Sequence, residues 1–242
     1  MPRAKQAQDA ASSSSKNNKA SRTAAARSAT AQAKHASDDA TIAAVPWPAI
    51  SRKALVAEVL LEDQLMVFAH FLLPTECRAL LSMAGQLPMA ATPPPKRDEA
   101  YRDNWRFSID DPAFADRLWR AGLDAACARL EGGQHRCAVG LNSNIRLYRY
   151  DPQQRFGQHY DDSVRDKHGH QSEWTLLVYL NGDGDGDTVF YGPGKRQVTA
   201  VAPVAGMALL HRHGARCLRH EALEVKEGCK WVLRSDVMFA AR

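Results

Sequence analysis

The sequence has no long apolar run, no paired-cysteine pattern and no aromatic residue in its first 45 positions. Each absence excludes something. No stretch approaches the roughly 20 apolar residues that a membrane-spanning helix needs, and the N-terminus lacks the apolar core of a secretory signal. Cys77, Cys127, Cys137, Cys217 and Cys229 are odd in number and scattered, without a C-x-x-C. That argues against a disulfide framework or a zinc ribbon, and for a reducing compartment. The expectation is a soluble, cytoplasmic protein with no membrane partner. Nuclear or organellar placement through the N-terminal segment is the alternative.

The net charge of +5 suggests nucleic-acid binding at first sight. Most of it sits in residues 1–45, which hold seven Lys/Arg against three Asp and leave 25 basic against 24 acidic residues in the remainder. A basic groove in the folded part is therefore not implied, and nucleic acid is not the expected partner. Residues 1–45 are about half Ala and Ser and include the run SSSS. Such a segment buries too little apolar surface to offset its ordering entropy and reads as a disordered basic tail. A transit peptide or a weak electrostatic tether are the other readings.

Residues 46–242 are long enough for one domain with a real core. QLMVFAHFL is strand-like. Thr75 is placed to cap a helix over 75–86, with Cys77, Leu80, Leu81 and Ala84 on one face. After the break ATPPPK, Asp111-Pro112 opens a second helix, predicted over 112–131 and ended by Gly132-Gly133. From about residue 140 short β-rich runs follow one another: NIRLYRY, RFGQHYD, WTLLVYLN, DTVFYG, QVTAVAP, GMALLHR and KWVLRSDVMF. Closely spaced strands without intervening helices predict a sandwich, barrel or jelly roll, so the class is α+β with the β-core at about 140–242.

One of these runs carries chemistry. In FGQHYDDSV, side chains two apart in an extended chain point the same way, so His159 and Asp161 present an imidazole and a carboxylate together. His-x-Asp alone is weak and needs a third ligand, for which His211, His213 and His220 are candidates. A His, Asp, His set leaves half an octahedron open and suits Fe(II) chemistry with a co-substrate and O2. Zinc more often takes an all-His or His/Glu set. A dicarboxylate co-substrate also needs a fixed cation, because an unpaired carboxylate in a closed pocket is costly. Lys230 is available in KWVLRSDVMF.

The motifs RLYRYDPQQRFGQHYD, TLLVYLNGDGDGDTVF, V-x-P-x-x-G-x-A-L-L and HEALEVKEGCKWV, in this order, resemble the Fe(II)/2-oxoglutarate-dependent dioxygenases of the prolyl 4-hydroxylase type over residues 140–240. The resemblance implies a double-stranded β-helix (jelly roll) buttressed by the N-terminal helices. It implies His159, Asp161 and His220 as iron ligands, with Lys230, ten residues after His220, on the 5-carboxylate of 2-oxoglutarate. Tyr179 would bond the same carboxylate, and Tyr150 would face the site. Thr175 shares the face of Tyr179 by strand parity and is expected to line the pocket. The cofactors implied are Fe(2+), 2-oxoglutarate and O2, with ascorbate keeping the iron reduced. The substrate implied is a peptide with proline as the family default, or a small molecule, and oligomeric state is not implied. Gln153 stands where the family has Gly after Tyr-x-Pro, and Asp185 replaces the first of two glycines before its acidic-Thr-x-Phe.

Several other features have plainer readings. NGDGDGD fails as a calcium loop, since Thr188 and Gly194 occupy the positions that need Gly and Glu. His168 and His170 read as solvated, and His211 and His213 as structural or mouth-lining. Arg234 is the alternative to Lys230 as carboxylate partner. Arg146 is either a ligand contact or a salt-bridge residue, while Asn104 and Arg106 are candidate substrate contacts. Cys217 and Cys229 read as buried thiols. A non-catalytic metal-binding jelly roll, a sensor or scaffold, is the competing function, and its mark would be loss of a ligand or of the cation.

Overall fold

The chain condenses around strands whose apolar residues are buried on both faces. The computed structural model describes residues 44–130, 132, 136–182 and 185–241. The tail reading therefore lies almost wholly outside the described residues, as do Asp183 and Gly133. Pro46–Arg242 form one compact unit. Among the described residues no helix is long and apolar enough to cross a membrane.

The strands, in chain order, are β1 (Glu58–Leu61), β2 (Leu65–Phe68), β3 (Ala90–Ala91), β4 (Trp105–Asp110), β5 (Arg136–Leu141), β6 (Asn144–Tyr150), β7 (Phe156–His159), β8 (Gln171–Tyr179), β9 (Thr188–Tyr191), β10 (Gln197–Val201), β11 (Ala208–Arg212), β12 (Arg219–Ala222) and β13 (Lys230–Ala241). They form a nine-stranded sheet in the order β1-β2-β11-β8-β13-β6-β4-β3, with β5 also on β13, and a four-stranded sheet β10-β9-β12-β7. Every pairing is antiparallel. This is the jelly roll expected. Tyr148, Tyr150, Tyr179, Leu209 and Val232 from the large sheet pack with Phe190 and Val201 from the small one. The opposite face of β8 and β13 buries Trp174, Leu176, Val178, Leu233 and Val237. Burial on both faces explains why these strands read as continuous apolar runs rather than alternating ones.

Two helices buttress the large sheet, and both depart from the pattern reading. α1 spans Pro74–Ala84, with Leu73 rather than Thr75 as N-cap and Pro74 at the first helical position. Glu76 does the work expected of Thr75, accepting from the Leu73 backbone N–H at 2.8 Å. The same carboxylate accepts from the Ser51 N–H at 2.7 Å, the Ser51 hydroxyl at 2.6 Å and Lys53 Nζ at 2.7 Å. It thereby ties the start of the folded chain to the helix.

α2 begins as predicted, with Asp111 accepting from the Phe114 N–H at 2.9 Å and Pro112 behind it. It ends at Leu118, not at 131. A wide turn, Trp119–Leu123, follows, in which Gly122 adopts φ 133°, and then one short turn over Asp124–Ala126. A β-carbon on Gly122 would lie 2.4 Å from the Lys53 carbonyl oxygen. The break is a tertiary contact that helical periodicity does not reveal. Strands β1, β3, β4, β5 and β12 lie outside the predicted β-rich runs, the last because its four residues RHEA look like loop.

Burial pushes the Glu76 carboxyl up, but Lys53, Ser51 and Leu73 together hold it down at about 2. A carboxyl depressed on folding stabilises the fold above its unfolded value near 4.5, and that contribution is lost as pH falls toward 2. Glu76→Gln should therefore lose roughly 2–3 kcal/mol at neutral pH, with the gap to wild type closing between about pH 4.5 and 2 in urea titrations.

Candidate metal centre

β7 and β12 lie side by side with His159 directly opposite His220, and their ring centroids are 4.2 Å apart. Phe156 stacks on the His159 ring at 3.6 Å. Just past the end of β7 the chain turns Asp161 inward to 6% exposure, while Tyr160 is 59% exposed and Asp162 faces solvent. The alternation read in FGQHYDDSV therefore survives beyond the strand.

Hydrogen bonds fix the tautomers. His159 Nδ1 lies 2.8 Å from the Gly157 carbonyl and His220 Nδ1 3.0 Å from the Leu218 carbonyl. A carbonyl only accepts, so each Nδ1 carries the proton and each Nε2 presents a lone pair. Those Nε2 atoms are both 3.7 Å from Asp161 carboxylate oxygens. Burial, with His220 adding, pushes the His159 imidazole down to about 3, and burial likewise lowers His220. Burial pushes Asp161 up, but the Arg234 guanidinium beside it holds it well below the usual carboxylate range. The result is two neutral imidazoles and one carboxylate with ligand atoms within 4.8 Å of one another. Deprotonated N and O donors on one side of a cleft fit a first-row metal ion such as Fe(II).

The carboxylate is held from behind. Thr175 Oγ1 donates to Asp161 Oδ2 at 2.9 Å. The hydroxyl proton being used there, His213 Nδ1 donates to Thr175 Oγ1 at 2.9 Å, and His213 Nε2 accepts from Ser172 Oγ at 2.8 Å. His213 is structural, as read. Thr175, expected beside the co-substrate, turns its hydroxyl to the carboxylate instead. Arg234 NH2 lies 3.0 Å from Asp161 Oδ2 and 3.6 Å from Asp236 Oδ1. Asp236 also pairs with Arg146, which settles Arg146 as a salt-bridge residue.

His211, expected to be structural or mouth-lining, lines the cleft itself. It sits on β11 opposite Thr175, with Nδ1 3.2 Å from the Arg212 carbonyl and Nε2 3.6 Å from Asp161 Oδ2. That Nε2 is buried without a hydrogen-bond partner. The signal available was strand parity with Leu209, whose side chain faces the inner core. Cys217 forms a second ligand group with His211 and His220. Burial pushes its thiol up to about 12, and the thiol donates to the Leu218 carbonyl at 3.3 Å.

His159, Asp161, His211 and His220 line one cleft with Tyr148, Tyr150, Lys230 and Arg234. Lys230 is 2% exposed and sits 4.7 Å over the Tyr150 ring. Its ammonium donates to the Gly186 carbonyl, a neutral acceptor. Burial lowers it to about 8, with Asp187 and Asp185 opposing. The Tyr179 hydroxyl lies behind the cleft wall, 2.8 Å from Thr188 Oγ1. Asn104 is fully buried and bonds Arg102 and Thr92 rather than the cleft. Thr175→Val removes a donor from a buried carboxylate and should cost about 1–3 kcal/mol in equilibrium unfolding.

Comparison with known proteins gives the same picture. Residues 145–235, which contain every proposed ligand and both cations, match the 2OG-Fe(II) oxygenase superfamily model. A search of curated proteins finds no match. Among solved structures, a viral collagen prolyl hydroxylase from Paramecium Bursaria Chlorella virus-1 is 21% identical with a TM-score of 0.52, covering 75% of this chain and 99% of that one. A Pseudomonas putida prolyl-4-hydroxylase is 19% identical with a TM-score of 0.50, over 75% of this chain and 94% of its own. A Trichoplax adhaerens prolyl hydroxylase, solved with a hypoxia inducible factor peptide fragment, is 15% identical with a TM-score of 0.56, over 73% and 84%. At these identities the likeness shows a shared fold. Through the matched segment, residues 145–235, the β-core is similar to the 2OG-Fe(II) oxygenase superfamily.

Proposed function

We propose that the protein hydroxylates a C–H bond of a peptide or small-molecule substrate, with 2-oxoglutarate and O2 consumed and succinate and CO2 released. The observation that carries this reading is the placement of a His, Asp, His donor set and a buried lysine along one cleft. His159, Asp161 and His220 would hold Fe(II). The bound iron and 2-oxoglutarate would supply oxidative decarboxylation coupled to insertion of one oxygen atom into the C–H bond.

The chain's own part is binding and orientation. Lys230 would meet the far carboxylate of 2-oxoglutarate, replacing a neutral carbonyl partner with a charged one, in a wall that Tyr150 and Thr188 complete. The Nδ1 bonds of both histidines keep their rings from rotating. Thr175 and Arg234 fix the carboxylate plane of Asp161. Aromatic and aliphatic walls at Tyr148, Phe156, Leu177 and Val232 limit water. The fold of the prolyl hydroxylases suggests a peptidyl proline as one substrate, and a small metabolite is the other. A non-catalytic role would be marked by a missing ligand or cation, and the cleft has both.

Purified protein given Fe(II), ascorbate and 2-oxoglutarate should release succinate slowly even without substrate, and Asp161→Ala should not. A wild-type protein that neither binds 2-oxoglutarate nor releases succinate would sink the reading. Lys230→Ala should weaken 2-oxoglutarate binding by roughly 3–5 kcal/mol, about 100-fold or more. The lysine is charged below its value of about 8 and loses that charge above it. Affinity for 2-oxoglutarate should therefore hold steady up to about pH 8 and fall beyond it, a fall that Lys230→Ala abolishes.

A further inference from the structure

The inner face of the large sheet carries more positive charge than the oxygenase reading uses. Arg106 on β4 sits directly opposite Tyr148 on β6, with its guanidinium 5.8 Å from that ring. Arg102, just before β4, stacks over the same ring at 4.5 Å and over Phe156 at 4.3 Å. Tyr148 and Phe156 are both walls of the cleft that holds His159 and Asp161. Arg102 is fixed in place, its Nε donating to Asn104 Oδ1 at 2.7 Å, while Thr92 and the Trp105 carbonyl hold that buried amide. One Arg102 guanidinium nitrogen, NH2, is buried without a partner.

The nearby acids are engaged elsewhere. Asp161 takes Arg234, Asp236 takes Arg146 and Arg234, and Glu221 takes the Tyr191 hydroxyl. Asp103 accepts from the Tyr101 hydroxyl at 2.8 Å and the Arg155 N–H at 2.8 Å. Asp151 accepts from Arg149 at 2.7 Å. Arg102 and Arg106 therefore gather at one aromatic ring with no carboxylate paired to either among the described residues, an arrangement that costs energy unless an anion completes it. Burial lowers the Arg106 guanidinium, and Arg102 lowers it further. Burial alone would push the Tyr148 phenol up, yet Arg102, Arg234, Arg146 and Arg106 together bring it down to about 7.

We propose that Arg102 and Arg106 form an oxyanion-binding subsite beside the metal centre, and that the substrate hydroxylated there carries a carboxylate or phosphate group. Planar guanidinium groups bind such oxyanions with paired N–H donors, and the unpartnered Arg102 nitrogen supplies one. Arg106 opposes Tyr148, which on its other side opposes Val232, whereas Lys230 opposes Tyr150, so the subsite lies at the β4 side of the sheet and one row along from the co-substrate's cation. The inference rests on the oxygenase reading for what the bound anion is presented to.

The test is calorimetric titration of the full chain, loaded without O2 with Fe(II) and one equivalent of 2-oxoglutarate. The probes are N-acetyl-L-aspartate, inorganic phosphate and uncharged N-acetyl-L-alaninamide. At least one anion should bind and the amide should not. Arg106→Gln should weaken anion binding about tenfold or more, and Arg102→Gln similarly. Arg106 makes no side-chain hydrogen bond of the kind that ties Arg102 to Asn104, so its variant serves if loss of the Arg102 stack disturbs folding. Tighter aspartate marks a carboxylate substrate and tighter phosphate a phosphate ester. Loaded wild type that takes up 2-oxoglutarate but neither anion, or Arg106→Gln that binds anions as wild type does, overturns the subsite alone. Failure to take up 2-oxoglutarate overturns the oxygenase reading instead.

Discussion

A carboxylate buried in the throat of a β-sandwich, Asp161, is the group around which this structure is arranged. An ionised carboxylate cannot be withdrawn from water without partners. Here the Thr175 hydroxyl and the Arg234 guanidinium stabilise one oxygen at 2.9 and 3.0 Å. Three imidazoles present lone pairs toward the group rather than N–H donors, because backbone carbonyls claim every Nδ1. Lone pairs facing a carboxylate repel it electrostatically. That arrangement is unfavourable for protein alone and favourable once a cation sits between them, which is why the cluster reads as a metal centre rather than as a buried salt-bridge network.

The fold delivers these groups through register. His159 and His220 meet because β7 and β12 pair at that residue. Thr175 is flanked by His211 on β11 and Asp236 on β13. One step along, Arg234 pairs with Arg146, and further on Lys230 pairs with Tyr150. Successive rows of the inner face therefore run from the acidic end at Asp236, through the arginines, to the lysine. A one-residue slip in β13 would turn Lys230, Arg234 and Asp236 to the outer face together. The long apolar outer face, with Trp174, Leu176, Val178, Leu233 and Val237, opposes such a slip.

Much of the site was legible because its chemistry is local in sequence. His159 and Asp161 stand two apart, and the segment bearing His220 and Lys230 resembles a known motif closely. The partners that tune them were not legible. Arg234 on Asp161, His211 beside it and Thr175 behind it come from three strands joined only by long-range pairing. Gln153, noted as a departure from glycine, proves to have φ 71°, so the turn keeps a left-handed conformation without the residue that favours it. The second helix was legible at its start, where Asp111 and Pro112 act locally, while the first has Leu73 rather than Thr75 as its cap. The end of the second was not legible, because Gly122 answers to a backbone carbonyl 69 positions away at Lys53.

The central claim is that His159, Asp161 and His220 make one iron site. Anaerobic Fe(II) titration of the wild-type chain and of His220→Ala tests it most directly. The account predicts one equivalent bound by wild type and weak, non-stoichiometric binding by the variant, with the fold retained by circular dichroism. A folded His220→Ala protein that still takes up one equivalent as tightly as wild type would contradict it.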